Sequence, residues 1–377
     1  PYFADRGCHV RIYEEARALL RRGHDVRIVT YHLGRDLPGV ATVRIPPVPW
    51  YRKLTAGPSW HKPYLDILLL FKSLAVARRF RPDIIHAHLH EGAFLGVFLK
   101  RLLGVPLLFD CQGSLTGEIV DHGFVREESL LYRFFRGIEG FVNQGADLIV
   151  TSSGPGAHDL RTRWQMAGGK VRVLMDGVDT DEFSPRSGAE ARRRLGIPPD
   201  VPVAVFLGVM NAYQGMDILL DAAGILGERG AKLHFLLMGF PEEGYRRMAA
   251  ERGLADRATF TGRIDYAEAA ALLSAGDVAL SPKVSLTEAN GKLFNYMACG
   301  LPVVAFDTPV NREILGETGG YARFGDAVDF ADRLESLLAN HEMRNGLARQ
   351  SREKAVREHS WEARGVDLEA VCRELAC

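Results

Sequence analysis

The sequence has few cysteines, and their arrangement indicates no structural role. The five residues are an odd number and lie far apart, without a CxxC pair or a regular spacing: Cys8, Cys111, Cys299, Cys372 and Cys377. A framework of disulfides is therefore not indicated, and the pattern is typical of a protein of the reducing cytosol.

Long hydrophobic runs and an excess of one charge are also lacking. The longest apolar runs, such as residues 67–71, fall far short of the roughly 18 residues that span a bilayer. No signal-peptide pattern precedes these runs. Lys plus Arg and Asp plus Glu both number 47, so no overall field would attract nucleic acid. We therefore expect a cytoplasmic protein with no membrane-crossing segment and no nucleic-acid partner.

What the chain does contain is an alternation of strand-like and helical patterns, which predicts parallel α/β sheets. Strands are predicted at 24–30, 83–88, 106–110, 147–152 and 170–175, then at 203–208, 233–238, 258–261, 278–281 and 302–306. Helices are predicted at 10–22, 62–80 and 95–103. A polar break at 180–200 separates the two series. A length of 377 residues suits two domains of roughly 150–200 residues each.

We accordingly predict three parts: residues 1–180, residues 181–358, and a closing helix at 359–377 that packs back on the first domain. The chain opens in what resembles the loop after a strand, so we expect the first strand of domain one to be missing. Both domains should be doubly wound, with ligands beyond the carboxyl ends of the strands.

The segment "TEANGKLFNYMACGLPVVAFD" (287–307) contains the most informative loop. Glu288, Asn290, Gly291 and Lys292 precede a short helix, whose free N–H groups would attract an anion such as a phosphate. Lys292 adds a positive charge, and Glu288 or Asn290 could hold sugar hydroxyls. An ordinary capped helix start is the alternative interpretation.

Several segments in order resemble the family-4 glycosyltransferases of the GT-B fold. They are "RRGHDVRIVTY" (21–31), "RPDIIHAH" (81–88), "ADLIVTSS" (146–153), "VLMDGVDTDEFSP" (173–185), "LLMG" (236–239), "ATFTGRI" (258–264), "SAGDVALSPK" (274–283) and "NGKLFNYMACGLPVVAFD" (290–307). The resemblance spans nearly the whole chain. It implies two facing Rossmann-like domains with an interdomain cleft, and retaining transfer of a hexose from a nucleoside diphosphate sugar.

Three positions depart from the family pattern. Asn295 stands about where the family has a second Glu, and Val209 and Gln214 replace an Arg and a Lys that face the donor pyrophosphate. Breaking the glycosidic bond leaves negative charge on that pyrophosphate, so other cations must supply the lost interaction. Lys283, Lys292 and Arg263 are the candidates, and we favour the two lysines.

The segment "HAHLHEGAF" (86–94) places three histidines at alternate positions, which raises the question of a metal site. No HExxH or comparable partner motif accompanies them, so we predict no metal. The resemblance places His88 near the sugar. His86 is then an interior residue, and His90 with Glu91 could contact acceptor or donor hydroxyls.

Two further motifs have a functional and a plain interpretation. Asp179 and Asp181 form a DxD sequence, but "DGVDTDEFSP" resembles the interdomain turn of the family, where no metal binds. Gly7 resembles the glycine loop near the donor phosphate, and it could equally be a simple helix start.

Residues 50–80 combine aromatic, basic and amphipathic character, including Trp50, Trp60, Lys72, Arg78 and Arg79. Such a segment can rest on an anionic membrane surface. A helix with one solvated face is the alternative. Peripheral contact with the inner face of the membrane would suit the many family members that glycosylate lipid-linked acceptors.

The expected function is thus a retaining hexosyltransferase that uses a nucleotide-sugar donor, a lipid-linked or glycan acceptor and no cofactor. The resemblance implies His88, Glu288 and Lys292 as catalytic residues, and it places the following at the donor: Gly7, Gly208, Gln214, Gly239, Arg263, Lys283, Asn290, Gly291, Leu293 and Asn295. Closure of the cleft would exclude water. A non-catalytic nucleotide-sugar binder and a nucleotide-sugar epimerase of the same fold remain as alternatives.

Overall fold

The computed structural model describes residues 2–3, 7–53, 61–121 and 124–376, so Trp60 and Cys377 lie outside the described residues. The chain forms two compact units. Unit 1 contains residues 1–176, Thr287–Ala289 and Trp361–Cys377, and unit 2 contains Gly177–Leu286 and Asn290–Ser360. No helix among the described residues has the length and apolar character needed to cross a membrane.

Unit 1 alternates helices with short parallel strands. Its elements are α1 (Gly7–Arg21), β1 (Arg27–Thr30), β2 (Ala41–Arg44), α2 (Lys62–Phe80), β3 (Ile85–His88), α3 (Leu89–Leu103), β4 (Leu107–Cys111), α4 (Leu115–Asp121), α5 (Leu130–Gly145), β5 (Leu148–Thr151), α6 (Gly154–Thr162), β6 (Val171–Val173) and α15 (Trp361–Ala376). The strands form a two-stranded sheet, β1-β2, and a four-stranded sheet, β3-β4-β5-β6, and every pairing is parallel.

The core of unit 1 lies against the four-stranded sheet. Every residue of β4 and β5 is buried, as expected for strands covered by helices on both faces. Leu107, Phe109 and Ile149 face α3, α5 and α6, whereas Leu108 and Val150 face Leu368 of α15. Helix α15 also packs closely on α1, where a Cβ atom at Gly365 would lie 3.1 Å from the Cβ of Ala18.

Unit 2 has one parallel sheet of six strands. Its elements are α7 (Ala189–Arg194), β7 (Val203–Leu207), α8 (Met216–Glu228), β8 (His234–Met238), α9 (Glu243–Glu251), β9 (Ala258–Gly262), α10 (Tyr266–Leu273), β10 (Val278–Ser281), α11 (Lys292–Ala298), β11 (Val303–Phe306), α12 (Pro309–Leu315), β12 (Gly319–Ala322), α13 (Ala327–Ala339) and α14 (His341–Glu358). The spatial order is β12-β11-β10-β7-β8-β9. The first strand, β7, is central, and the winding direction reverses between β7 and β10, which is where ligands bind such sheets.

The parallel α/β class predicted from the alternation is confirmed in both units. All ten predicted strands are present, and 62–80 is helical over its full predicted length. The predictions missed β2 and β12, since "ATVR" and "GGYA" are too short and too polar or glycine-rich to stand out as buried strands. Helix α3 begins six residues before the predicted start. The prediction missed its first turns because the histidine-rich segment after β3 does not show a helical apolar spacing.

Candidate active site

The carboxyl end of β7 carries the clearest polar cluster of unit 2. The Lys292 Nζ atom lies 2.7 Å from the Gln214 Oε1 atom and 4.1 Å from the centre of the Phe206 ring. A Cβ atom on Gly208 would come within 3.0 Å of the same Nζ atom. Lys292 therefore places its ammonium group at the point where the sheet reverses its winding, held by one amide oxygen and one ring.

Gln214 stands where the resemblance expects a lysine, and its side chain holds Lys292 instead. Gln214 ends a short 3-10 turn, Ala212–Gln214, whose start is capped by the Asn211 side chain accepting from the Gln214 N–H. A Cβ atom at Gly215 would lie 1.9 Å from the Pro282 carbonyl oxygen, so the turn packs directly on the β10 loop. A lysine from α11 thus reaches the side chain that stands where the resemblance expects a lysine.

Lys283 lies on the other side of the same turn. Its side chain is buried, and its Nζ atom is 5.4 Å from the centre of the Tyr213 ring. Since Lys283 follows β10 and Gln214 follows β7, the two strands at the reversal point each contribute a polar residue to this loop region. Arg263 lies after β9, with its guanidinium 4.1 Å from the Phe240 ring centre and an exposed side chain.

Three glycines stand side by side at the carboxyl ends of β7, β8 and β9. Gly208 and Gly239 have φ of 148° and 153°, and Gly262 has φ of 70°, values that a residue with a side chain rarely adopts. The Gly208 N–H donates to the Met238 carbonyl oxygen at 2.9 Å. Gly262 was not identified from the sequence. The signal that could have revealed it is that each of three successive strands ends at a glycine. At Gly239 and Gly262 the place of a Cβ atom is taken by the Gly208 carbonyl oxygen and the Glu242 carboxylate, so these glycines allow neighbouring loops to pack closely.

Replacing Gly239 by alanine should destabilise unit 2. The added Cβ atom would lie 1.7 Å from the Gly208 carbonyl oxygen, in a backbone conformation unfavourable for alanine. Clash and strain together should cost about 2–4 kcal/mol of unfolding free energy in urea titrations.

Gly244→Ala is the matched control for Gly239→Ala. Gly244 is exposed within α9 with open space around its Cα, so alanine should be neutral or stabilise the protein by about 0.5–1 kcal/mol. Equal stability of the two variants would contradict the described packing.

The loop before α11 is fixed by a buried amide network. The Asn290 Nδ2 atom donates to Ser281 Oγ at 2.7 Å and to Asn311 Oδ1 at 3.0 Å, and Asn311 in turn donates to the Phe306 carbonyl oxygen. Asn290 therefore joins the loop to the ends of β10 and β11. Its side chain has a structural task in addition to any contact with a ligand.

The start of α11 offers fewer backbone donors than the sequence suggested. Gly291 is helical, and the Leu293 N–H already donates to the Asn290 carbonyl oxygen at 3.0 Å. The Leu293 side chain is fully buried, and Asn295 is half-buried further along the helix. Among these residues, the Lys292 side chain is the group best placed for an anion.

Glu288 belongs to unit 1 with its neighbours Thr287 and Ala289. The Ser153 hydroxyl donates to the Thr287 carbonyl oxygen at 2.6 Å, and the Glu288 Cγ atom would lie 3.7 Å from a Cβ atom built on Gly113. Glu288 is half-buried beside the loop that follows β4. The structure thus gives Glu288 a place at the carboxyl end of the unit 1 sheet.

His88 ends β3 and takes part in a buried charge network of unit 1. Its Nδ1 atom lies 2.8 Å from Asp110 Oδ2, and Asp110 also accepts from Gln112 and from Arg11. Arg11 additionally pairs with Glu15 at 2.9 Å and with Asp176 at 2.5 Å. The sequence alone did not identify Arg11, Glu15, Asp110 or Asp176, because Asp110 and Asp176 lie far along the chain from the helix that carries Arg11 and Glu15.

Burial and the neighbouring charges set the protonation states of this network. Burial raises the pKa of Glu15 to about 7, although Arg11 opposes that shift. Burial would also raise the pKa of Asp110, but Arg11 and His88 outweigh it and hold this pKa well below its usual range. Burial, with His88 beside it, lowers the pKa of His86. Asp110 is therefore a fixed anion that orients the His88 ring through Nδ1.

Glu15, His86 and His88 bring atoms of metal-ligand type within 4.8 Å of one another. The Arg11 guanidinium lies 2.9 Å from Glu15, and its positive charge would oppose a metal cation at that place. His90 is buried on Phe109 beside Glu139, and Glu91 pairs with Lys62. Their contact with donor or acceptor hydroxyls stays a prediction. Glu139 itself accepts from Ser114, Leu115 and Thr116 and closes the loop after β4.

The two remaining candidates have plain local structures. Asp179 accepts from the N–H groups of Asp181 and Glu182, each at 3.1 Å, which is the geometry of a turn. Gly7 begins α1 and is exposed, with open space where a Cβ atom would lie. Neither geometry requires a ligand.

Comparison with known proteins shows the family of the chain. Residues 6–177 match the family described as "Glycosyl transferase 4-like domain", and residues 201–340 match "Glycosyl transferases group 1". A D-inositol 3-phosphate glycosyltransferase of Thermomonospora curvata is 30% identical over 376 residues, covering 91% of this chain and 84% of the relative. A sulfoquinovosyl transferase of Arabidopsis thaliana is 27% identical, covering 96% of this chain and 69% of the relative.

Solved structures show the same fold. Sucrose-phosphate synthase from Thermosynechococcus elongatus has a TM-score of 0.83 at 22% identity, covering 98% of this chain and 93% of the other. HepE of Anabaena, solved with UDP and glucose, has a TM-score of 0.78 at 16% identity, covering 98% and 96%. The chain therefore belongs to the family-4-like glycosyltransferases of the GT-B fold, enzymes that transfer a hexose from a nucleoside diphosphate sugar.

Proposed function

We propose that this protein is a retaining hexosyltransferase whose donor diphosphate lies at the carboxyl ends of β7 and β10 in unit 2. The observation that carries the proposal is the Lys292 ammonium group, held by Gln214 and Phe206 beside Gly208 at the reversal point of the sheet. Lys292 would face the departing phosphate, which would lie beside the glycines that follow β7 and β8, Gly208 and Gly239. HepE, which has the same fold, was solved in complex with UDP-glucose, and a uridine diphosphate sugar is therefore the first donor candidate.

The proposed catalysis depends on the negative charge that develops on the donor diphosphate. As the glycosidic bond breaks, the diphosphate gains negative charge, and an ammonium group fixed beforehand stabilises that charge more than it stabilises the intact donor. The leaving phosphate can take the proton of the acceptor hydroxyl on the same face of the sugar. Retention then needs no carboxylate nucleophile, which is consistent with Asn295 standing where a second Glu would be expected.

In unit 1, His88 and Glu288 are the proposed sugar contacts. The Asp110 carboxylate holds His88 through Nδ1, and Nε2, which lies 3.9 Å from Glu15 Oε2, would be the atom that contacts the sugar. Glu288 would accept from donor hydroxyls. The acceptor is proposed to be a hydroxyl of a lipid-linked molecule or glycan, and the relatives named for inositol 3-phosphate and sulfoquinovosyl transfer fit that broad class.

The test is a thermal-shift screen with UDP-, GDP- and ADP-sugars, followed by product analysis by NMR. We expect one nucleotide class to raise the melting temperature, and transfer of the hexose to an added acceptor with its anomeric configuration unchanged. Conversion of the donor without an acceptor would indicate an epimerase. Binding with neither transfer nor hydrolysis would indicate a binder, and an inverted product would contradict retention.

Transfer is proposed to need no metal. The Arg11 guanidinium already supplies the positive charge beside Glu15, and Lys292 supplies it at the donor. Because these fixed side chains supply the electrostatic stabilisation, activity should change by less than about twofold in excess EDTA. A loss that Mg²⁺ or Zn²⁺ restores would contradict this prediction.

Peripheral membrane contact is proposed through α2 and the residues before it. Trp50, Ile67 and Phe71 are 71%, 55% and 64% exposed, and the Trp50 indole donates to the Tyr64 hydroxyl, which fixes it beside α2. Residues 54–60 of the predicted segment lie outside the described residues. Exposed apolar groups near Lys72, Arg78 and Arg79 suit an anionic surface.

Vesicle co-sedimentation tests this contact. The protein should bind vesicles of mixed phosphatidylcholine and phosphatidylglycerol, and Phe71→Glu should weaken binding by about tenfold, since it removes apolar burial and adds a repelled charge. Val366→Glu, at a 49% exposed position of α15, is the control. Equal binding of both variants would contradict a role for α2.

A further inference from the structure

Unit 1 contains a buried carboxylate that the proposed reaction does not use. Glu139 lies in the middle of α5 and is 1% exposed. Among the described residues, no lysine or arginine forms an ion pair with it, and its one charge-type contact is a histidine. An ionised carboxylate inside a protein is costly unless several hydrogen-bond donors surround it. Glu139 therefore depends on donors that its neighbours hold in place.

These donors come from one short segment after β4. One oxygen of Glu139, Oε1, accepts from the Ser114 hydroxyl at 2.8 Å and from the Leu115 N–H at 3.2 Å. The other oxygen, Oε2, accepts from the N–H and the hydroxyl of Thr116, at 2.9 and 2.6 Å. Hydrogen bonds to an ionised acceptor are roughly twice as strong as neutral ones. Glu139 thus fixes residues 114–116, the anchored segment, against α5.

The same carboxylate borders the loop after β3. The His90 Nε2 atom lies 3.8 Å from Glu139 Oε1. The His90 ring also packs edge-on against Phe109 of β4, with 5.2 Å between the ring centres. His90 follows His88 by two residues, and Leu89 between them has a left-handed backbone with φ of 60°. Glu139 therefore contacts the loops that follow both β3 and β4.

These two loops lead directly to the sugar contacts proposed for unit 1. His88 ends β3 and stands two residues ahead of His90. Gly113 directly precedes the anchored segment, and a Cβ atom on it would lie 3.7 Å from Glu288 Cγ. A shift of either loop would therefore move the surroundings of His88 or of Glu288.

We propose that Glu139 is a positioning residue for hexose transfer, because its carboxylate fixes the loops after β3 and β4 beside His88 and Glu288. The proposal rests on the function proposed above and adds a residue that does not itself touch the substrate. A displacement of about 1 Å can cost about 10²-fold in rate. Because the diphosphate is proposed to bind unit 2, loss of Glu139 should affect transfer and sugar recognition and leave nucleoside diphosphate binding unchanged.

The test replaces Glu139 by glutamine, which keeps the size of the side chain but turns one acceptor oxygen into an NH₂ donor. Either orientation of the amide then loses one pair of the four hydrogen bonds. The measurements are kcat and the dissociation constants of the nucleotide sugar and of the nucleoside diphosphate, below the melting temperature of each variant. We expect kcat to fall by about 30- to 100-fold, while the nucleoside diphosphate constant changes by less than about twofold. Affinity for the nucleotide sugar should fall by at least about fivefold.

Thr116→Val removes the hydroxyl donor at 2.6 Å and keeps the backbone bond, so kcat should fall by about five- to tenfold. This milder variant carries the test if Glu139→Gln folds poorly. Glu127→Gln, at an exposed glutamate ahead of α5, is the control and should keep kcat within about twofold. An unchanged kcat in Thr116→Val or in folded Glu139→Gln would overturn the proposal. Equal losses of affinity for nucleotide sugar and nucleoside diphosphate would also overturn it, since they indicate a general structural defect.

Hydrogen exchange separates this proposal from the function on which it rests. Exchange is followed by mass spectrometry in residues 88–91 and 112–117, with β9 of unit 2 as the internal reference. We expect both segments of Glu139→Gln to exchange at least about tenfold faster than in the parent protein. A parent protein that transfers no hexose would contradict the proposed function, and exchange would still show whether Glu139 fixes both loops. Unchanged exchange in either segment contradicts the proposal, whatever the activity.

Discussion

Replacing Lys292 by alanine should slow hexose transfer by about 10²–10³-fold, which is the scale seen when one fixed donor to a developing anion is removed. The Lys292 ammonium group is held 2.7 Å from Gln214 Oε1 and over the Phe206 ring, so its position is set before the donor arrives. Because the charge on the diphosphate grows as the bond breaks, the turnover rate should fall more than donor affinity does. The measurement is kcat together with the dissociation constant of the nucleotide sugar.

Lys232→Ala is the matched control, since Lys232 is an exposed lysine of unit 2 ahead of β8, at the opposite end of the strand from the glycines. Its kcat should stay within about twofold of the parent protein, as for a typical surface substitution. If Lys292→Ala weakens donor binding but leaves kcat unchanged, Lys292 acts in ground-state binding alone. If it changes neither, the proposed donor position is wrong.

Replacing Arg11 by methionine should lower the free energy of unfolding by about 3–5 kcal/mol, because it leaves buried carboxylates without their cation. Arg11 is 3% exposed and contacts Asp110, Glu15 and Asp176, of which Asp110 is fully buried. Methionine keeps much of the apolar volume, so the loss would report the missing charge and not an empty space. Urea unfolding followed by circular dichroism measures the change.

Two comparisons separate this charge effect from a general loss of packing. Arg172→Met removes a half-exposed pair with Glu374 in the same unit and should cost less than about 1 kcal/mol. Adding Asp110→Asn to Arg11→Met should recover part of the lost stability, since it removes one uncompensated buried charge. A double variant no more stable than Arg11→Met would show that the charges are not the cause.

The architecture was predictable because strand and helix patterns are local. Buried runs such as "LLFDC" and "VVAF" stand out in the sequence without knowledge of their neighbours, and their order fixes a parallel sheet. Lys292 was also predictable, since it follows a glycine in a loop between β10 and β11. Gln214 is predicted to lie at the donor and to lack the family's charge. Its contact with Lys292 was not predicted, because 78 residues separate the two.

The rest depended on contacts that the sequence does not display. Arg11 reads as one basic residue on an amphipathic helix, and nothing local shows that it meets Asp110, 99 residues away. Asn290 is predicted as a ligand contact, and the sequence does not show that its amide also joins the loop to Ser281 and Asn311. Leu89 adopts φ of 60° directly after His88, and no glycine at that position indicates a left-handed backbone conformation.

A crystal structure with the nucleotide sugar that stabilises the protein would test the central claim most directly. The account predicts a diphosphate oxygen within about 3 Å of Lys292 Nζ, a normal distance for a charge-assisted hydrogen bond, with the phosphates beside Gly208 and Gly239. A diphosphate bound away from the carboxyl ends of β7 and β10, with Lys292 still bonded to Gln214 and not to a phosphate oxygen, would contradict it.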